Sequence, residues 1–402
     1  GGGAPSVAVP LALVLLNPAL LLVDHVHFQY NGLLLGLLLL AGADLQEGRI
    51  YRGSALFCLL LNMKQIFLYV APVFFVYLLR GHCGCSWRDG RLCINVLALF
   101  RLGSVVIASF ALCWAPLVAT GQVMQAGSRL FPFGRGLTHA YWAPNVWALY
   151  NTADRALAKL GMGEQAGPSA TAGFAEVYEA AVLWTVPPKA TFVLTALAYV
   201  PLSVLIWRQT PAALAGGGRE EFATAAPRRR GAFIAYLALG SAIAFSCGWH
   251  VHEKAILMVT IPLLVAAGSS RHQPLRDVTL TLSTVATFSV LPLLPDSTCE
   301  TLLKWALLLL GHLVEALLLR PVASAPHAAA GRSLFAGLGA GSRVLGMLVG
   351  LAIVILGLYR DFGGHRMIFG ARMEFLPLLF ISDFSAVLVL GCFVVLYRLA
   401  AS

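Results

Sequence analysis

Charge is scarce in this chain of 402 residues: Asp, Glu, Lys and Arg together make up 11% of it. A soluble domain carries about 25%, so a fully solvated globular surface is excluded. Alternation of apolar and polar residues over strand lengths is also missing, which argues against a membrane barrel. The eight cysteines form no disulfide framework, because Cys58, Cys113, Cys247 and Cys392 lie inside apolar runs. Cys83, Cys85 and Cys93 share one basic loop with His82, but their spacing fits no common zinc pattern. No internal repeat is visible. The first residues, Gly1-Gly2-Gly3-Ala4-Pro5, have neither a start methionine nor a basic segment, so no signal peptide is read there. They read as an internal start, and the chain is expected to be an amino-terminally incomplete copy of something longer.

What is present is apolar surface: 59% of the residues are hydrophobic. Only helices and closed barrels satisfy their backbone in lipid, and continuous runs select helices. Apolar runs lie near residues 7–23, 32–42, 54–79, 93–119, 181–207, 231–248, 255–270, 277–294, 301–319, 344–359 and 374–398. The expected fold class is an all-α polytopic membrane protein forming one multispan domain over 1–402. The run 32–42 is too short to cross a bilayer alone. The run 54–79 is too long for one helix and carries Asn62, Lys64 and Gln65 in its middle. It is expected to form two half-length helices meeting at Lys64.

The net charge of +10 comes from arginines grouped in short loops. That pattern sets membrane orientation and does not imply nucleic acid. Arg49, Arg52, Arg80, Arg88, Arg91, Arg208, Arg219, Arg228 to Arg230, Arg271, Arg276, Arg320, Arg332 and Arg343 fall in alternate loops, expected to be cytoplasmic. The opposite face then holds Asp24 to Asn31, Lys64, a long loop over 120–180, and His250 to Lys254. It also holds Arg129, Arg135, Arg155 and Arg366, which weaken the rule.

Two polar clusters join apolar runs. Ionisable groups at membrane depth are costly and usually face a cavity or a partner, so both are candidates for one polar site. The first is Trp249-His250-Val251-His252-Glu253-Lys254. It has three readings: a metal site, a buried ion pair that only fixes packing, or an anion site in which Lys254 and the histidines hold a phosphate. No third ligand set stands at a fixed spacing and Lys254 would repel a cation, so the anion site is preferred and no metal is expected. The second is Asp24-His25-Val26-His27-Phe28-Gln29-Tyr30-Asn31. It reads as a proton relay, an interfacial turn or a sugar-binding edge. The last is preferred, because Asn and Gln match hydroxyls as both donor and acceptor. Lys64 is either a snorkelling lysine or part of a site. The segment Arg135, His139, Tyr141, Trp142, Asn145 interleaves aromatics with basic groups, which suits sugar faces and phosphate. Tyr141-Trp142 also reads as an interfacial anchor. Asp361, His365 and Arg366 are expected in a solvated loop.

These motifs together are recognisable. Val23 to Gly32, Arg129 to Phe133 with Arg135-Gly136-Leu137, His139 to Tyr150, and Trp249 to Leu257 resemble the dolichyl-phosphate-glucose-dependent α-1,3-glucosyltransferases of N-glycan assembly in the endoplasmic reticulum. His25-Val26-His27 with Gly32, and His250-Val251-His252, look closer to the branch that adds the second glucose. The resemblance implies a GT-C fold with roughly 10–12 transmembrane helices and an active site facing the lumen of that membrane. It implies dolichyl phosphate glucose as donor and a monoglucosylated dolichyl-pyrophosphate-linked high-mannose oligosaccharide as acceptor. Transfer would be an inverting single displacement without cofactor or metal. His250, His252, Glu253 and Lys254 would lie at the donor phosphate. Asp24, His25, His27, Gln29, Asn31, Lys64, Arg135, His139, Tyr141, Trp142 and Asn145 would line the sugar and acceptor side. The general base is expected upstream of residue 1 and is assigned to no residue in the chain. Membrane lipid is the remaining partner, with no nucleic acid. The alternatives are the first-glucose enzyme of the same family, a proton- or metal-coupled transporter, and an inactive scaffold. A transporter should show matching inverted halves, and none is visible.

Overall fold

The computed structural model describes residues 7–88, 91–130, 136–139, 141–162, 180–212, 232–294, 297–320 and 341–402. Its helices are α1 Ala8–Leu15, α2 Pro18–Leu21, α3 Asn31–Gln46, α4 Ile50–Met63, α5 Ala71–Gly81, α6 Val96–Ala119, α7 Val123–Leu130, α8 Val146–Lys159, α9 Pro188–Gln209, α10 Ala232–Cys247, α11 Leu257–Ser269, α12 Gln273–Val290, α13 Thr298–Leu318, α14 Gly341–Asp361, α15 Gly364–Phe369 and α16 Leu376–Ala401. The one sheet among the described residues is a hairpin of β1 Ser86–Arg88 and β2 Arg91–Cys93, antiparallel with Trp87 opposite Leu92. Every apolar run named above lies mainly on helix. By length and composition α6, α9, α13 and α16 are each long and apolar enough to cross a membrane, and a bent pair covering 8–26 makes a fifth. The protein is a multi-pass helical membrane protein.

The chain divides into two compact units, residues 1–29, 135–193 and 245–402 in one and 30–134 with 194–244 in the other. In the first, α11 is apolar on all sides and buried along most of its length, the sequence signature of a helix surrounded by protein. The bent pair breaks at Asn17. Pro18 has no N–H and opens a new helix, while the Asn17 side chain caps it by accepting from Leu20 N at 2.9 Å. The Asn17 amide then donates to Glu315 Oε1 at 3.0 Å, and Ser283 Oγ donates to the same oxygen at 2.9 Å. This triad is buried. It ties the break to α12 and α13, and Gly311 leaves room for it, since a Cβ there would stand 2.4 Å from Pro18 Cγ.

In the second unit α3 and α4 form a hairpin closed by Gly48, whose φ of 74° suits only glycine well. The buried Asp44 carboxylate accepts from Arg49 Nε at 2.8 Å and Arg52 Nη2 at 2.6 Å, locking the turn. The run 54–79 breaks at Lys64, which is extended (φ −154°, ψ 113°) between α4 and a 3-10 turn Gln65–Val70. Two half-length helices meet there, as an ionisable residue in mid-run predicts. The cysteine loop brings no three ligand groups together among the described residues. Cys83 and Cys85 are buried and Cys93 is exposed.

One apolar run departs from its expected extent. Residues 181–187 of the run 181–207 are not helical, and α9 begins only at Pro188. The cause is chemical. Pro187-Pro188 removes two donors, and Asp154 of α8 captures the backbone ahead of them. Its two oxygens accept from Ala181 N, Val182 N and Leu183 N at 2.9, 2.9 and 2.7 Å.

Candidate functional site

The site in the first unit is built where the chain after α10 meets the aromatic segment 136–150. Asn145 begins α8, with its side chain accepting from Trp147 N at 3.0 Å while its amide donates to Phe245 O at 2.9 Å. Trp147 Nε1 donates to Gly248 O at 2.9 Å. These bonds fasten α8 to the end of α10. Leu137, Trp147 and Val186 form a small core, with Trp249 and Tyr150 packed against it. That core aligns 136–139 beside 250–252. His250 N donates to Leu137 O at 2.9 Å, and Thr138 bridges Val251 in parallel. The His250 ring nitrogen Nδ1 lies 2.8 Å from Gly136 O. Since a carbonyl only accepts, Nδ1 carries the proton. His250 also has φ 50°, a conformation uncommon outside glycine and enriched at functional positions.

The result is a cluster of three imidazoles. The His139 and His252 ring centroids are 4.2 Å apart, with His250 at 5.4 Å from His252 and 5.8 Å from His139. Glu253 follows in a 3-10 turn, Glu253–Ile256, and is 1% exposed. Its Oε2 has no hydrogen-bond partner among the described residues. Burial raises the Glu253 carboxyl above the ordinary range, opposed in part by hydrogen bonding to backbone N–H groups of Glu253 and Lys254 and by the Lys254 charge. Lys254 itself is half-buried. Tyr141 sits in the same neighbourhood. Its hydroxyl donates to Ser289 O at 2.8 Å, and burial followed by the Glu253 charge pushes its ionisation up.

The first polar cluster of the chain reaches this region through His27. Residues 22–26 form a π-turn, and His27 N closes it onto Leu22 O at 2.9 Å. Such turns are often found at functional positions. Desolvation and then the Lys254 ammonium hold His27 below the ordinary histidine range. Asp24 and Gln29 are half-buried, and His25 and His27 are exposed. Asn31 and Lys64 belong to the second unit, where Lys64 Nζ donates to Asn31 Oδ1 at 2.8 Å and lies 5.7 Å from the Tyr30 ring centroid. Arg135 lies outside the described residues.

Trp142 and Asn145, expected on the sugar side, are buried and bonded into the framework. Ser382 Oγ donates to Trp142 O at 2.8 Å, and the Arg155 guanidinium stands 5.1 Å from the Trp142 ring. Arg155 is therefore stacked between Trp142 and Phe375, at 4.8 Å from the latter. Asp361 and His365 depart from the solvated loop expected for them. The Asp361 side chain is 4% exposed, lies 3.5 Å from Lys304 Nζ, accepts from Trp305 Nε1 at 2.9 Å and pairs with Arg360. His365 is buried, bonded to Tyr359 at 2.7 Å and to Arg372 O at 2.9 Å. Lys304, Glu315 and Asp154 were not singled out from sequence. The first two carry a signal like that of Lys64, charged residues inside the apolar run 301–319.

The comparison with protein families decides the relationship. The ALG6, ALG8 glycosyltransferase family model matches residues 4–396. The chain belongs to that family. The family is one of GT-C membrane glycosyltransferases, and the apolar helices of the chain fit that class. The chain is 40% identical over 293 residues to a mouse (Mus musculus) protein named dolichyl pyrophosphate Glc1Man9GlcNAc2 alpha-1,3-glucosyltransferase, covering 70% of this chain and 52% of the relative. It is 36% identical over 393 residues to a Drosophila melanogaster protein named as the probable enzyme of that name, covering 96% and 69%. A protein of Arabidopsis thaliana with the mouse protein's name is 41% identical over 312 residues, covering 75% and 56%. The chain spans about half the length of the mouse and plant relatives it matches.

Proposed function

We propose that the whole protein is a hexosyltransferase of the endoplasmic-reticulum membrane, with its site facing the lumen. It moves glucose from dolichyl phosphate glucose to a dolichyl-pyrophosphate-linked high-mannose oligosaccharide that already carries one glucose, forming an α-1,3 bond. The observation that carries this reading is the shared acceptor in the names of the mouse, fly and plant relatives. The chemistry of the His250–Lys254 cluster agrees with it. As the bond between the sugar's anomeric carbon and the phosphate oxygen breaks, negative charge grows on the phosphate. A half-buried ammonium stabilises that charge more than it would in water. Lys254 and His252 are assigned to the donor phosphate on this argument. His250 supports them from its bond to Gly136. His25, His27 and Gln29 are assigned to the sugar side, where side chains with both donors and acceptors match hydroxyls.

The test is transfer by the purified full-length protein in detergent. Dolichyl phosphate glucose is offered with acceptors carrying one glucose or none. The reading predicts a product one hexose heavier from the monoglucosylated acceptor alone. Transfer only to the unglucosylated acceptor would reassign the protein to the first step. Absence of transfer to either would overturn the transferase reading.

A further inference from the structure

We propose that the hairpin of β1 and β2, together with the first two turns of α6, is a binding surface for an anionic phospholipid. Trp87 and Leu92 enter the acyl boundary, and Arg91 and Arg101 hold the headgroup phosphate. The hairpin joins α5, which ends at Gly81, to α6, which begins at Val96 and is long and apolar enough to cross a membrane. It therefore lies at a membrane boundary, and the second unit fixes it there. Arg80 Nη1 donates to Cys85 O at 2.7 Å while its guanidinium stands 5.1 Å from the Trp207 ring. Asn95 N donates to Cys83 O at 2.8 Å, and the Asn95 side chain caps α6 by accepting from Ala98 N at 3.0 Å.

Two independent observations point to the ligand. The first is apolar surface. Trp87 stands opposite Leu92, so the two side chains share one face of the hairpin. They are 70% and 56% exposed, and Val96, Leu97 and Phe100 at the start of α6 are exposed as well. Tryptophan is enriched at headgroup level, where one part of the ring is apolar and its N–H stays wet. The second is charge. From residue 80 to residue 101 the sequence has four arginines and a single acid, Asp89. Arg49 and Arg52 are taken up by Asp44 and Glu47. Arg91 and Arg101 are exposed and make no ion pair among the described residues. Alternation along β2 sets Arg91 on the face opposite Leu92, which separates the apolar pair from the guanidinium as an interfacial element requires. A guanidinium matches phosphate through paired hydrogen bonds. The arginine pattern expects this end on the cytoplasmic side, where anionic lipids attract basic segments. The proposal does not rest on the transferase reading, and its test reads lipid contact rather than turnover.

The full-length protein is placed in lipid nanodiscs, and the Trp87 emission is taken as the difference between the wild type and Trp87→Leu. That substitution keeps an apolar side chain on the hairpin; if it does not fold, Trp87→Phe replaces it. The quencher is phosphatidylserine or phosphatidylcholine with a nitroxide near the top of the acyl chain. Both lipids should quench Trp87, phosphatidylserine at a mole fraction roughly 5-fold lower, the scale of one basic residue near an anionic surface. Arg91→Gln combined with Arg101→Gln should abolish that preference while Trp87 stays quenched by both lipids. Emission unquenched by either lipid overturns the proposal, because the hairpin then faces water or a protein. Equal quenching by the two lipids overturns it too, because no headgroup is selected. A preference that survives the double arginine variant also overturns it, because the phosphate is then held elsewhere.

Discussion

Asp154→Asn changes one atom and tests how the site is held. Asp154 Oδ1 accepts from Val182 N and Leu183 N, at 2.9 and 2.7 Å, and Oδ2 accepts from Ala181 N at 2.9 Å. The amide keeps one acceptor and turns an NH2 toward the third N–H. One charge-assisted bond is lost, at about 1.5–3 kcal/mol. The other two lose the contribution of the anion, roughly half their strength. Water reaches the partly buried segment and recovers some of this, so a net loss of about 2 kcal/mol in local opening is expected. That is roughly a 30-fold increase in the opening equilibrium. Amide hydrogen exchange of the detergent-solubilised protein reads it directly. Exchange at 181–183 should accelerate roughly 30-fold. Val186 packs on Leu137 and Trp147, so the His250 amide, bonded to Leu137 O, should accelerate as well but by less. Unchanged exchange at 181–183 would refute the reasoning, because three bonds to a buried carboxylate could not then be holding the segment.

Three further substitutions probe the two units, His82 and Gly103 in the second and Gly357 in the first. Burial lowers the His82 ionisation, and its Nε2 has no hydrogen-bond partner among the described residues. The folded value therefore lies below the unfolded value of about 6.5. Stability from this group is full above that pH and is lost as pH falls through 6.5 toward the lowered value. The fall in Tm between about pH 7 and 5 should be shallower in His82→Gln, and an unaltered slope would count against the assignment. Gly357→Ala would place a Cβ 1.9 Å from the Trp305 ring and should cost about 1–3 kcal/mol as overpacking. At Gly103 nothing lies within 4 Å, so Gly103→Ala should be neutral or stabilise by up to about 1 kcal/mol. Thermal unfolding of the two variants side by side checks the contrast.

The helices were legible because lipid leaves few choices: continuous apolar runs give helices, and a lone lysine in a long run gives a break. The break at Asn17 was not read from the run 7–23, although Asn17-Pro18 carries the chemical signal for it. What the sequence hid was long-range pairing. His139 and His252 lie 4.2 Å apart by ring centroid, yet no periodicity connects positions in a loop and after a distant helix. Asp154 was invisible for a related reason: its partners are backbone N–H groups, which leave no mark on side-chain composition. Asp361 looked solvated because it stands next to Phe362-Gly363-Gly364 at a helix end. Its partners Lys304 and Trp305 come from another helix. Trp142 and Asn145 read as sugar contacts by residue type alone, and their place in the framework depends on Ser382 and Phe245.

The measurement that bears most directly on the proposed transferase site is turnover of Lys254→Ala in the full-length protein, set against Glu253→Ala and the double variant. If Lys254 stabilises charge on the leaving phosphate, Lys254→Ala stays folded, with an unchanged elution profile and nearly unchanged Tm. Its transfer from dolichyl phosphate glucose falls roughly 100-fold, as for the loss of one transition-state donor. The contradicting result is equally definite. If both single variants unfold, and the double variant recovers fold and turnover together, Lys254 and Glu253 are a structural ion pair and the phosphate is held elsewhere.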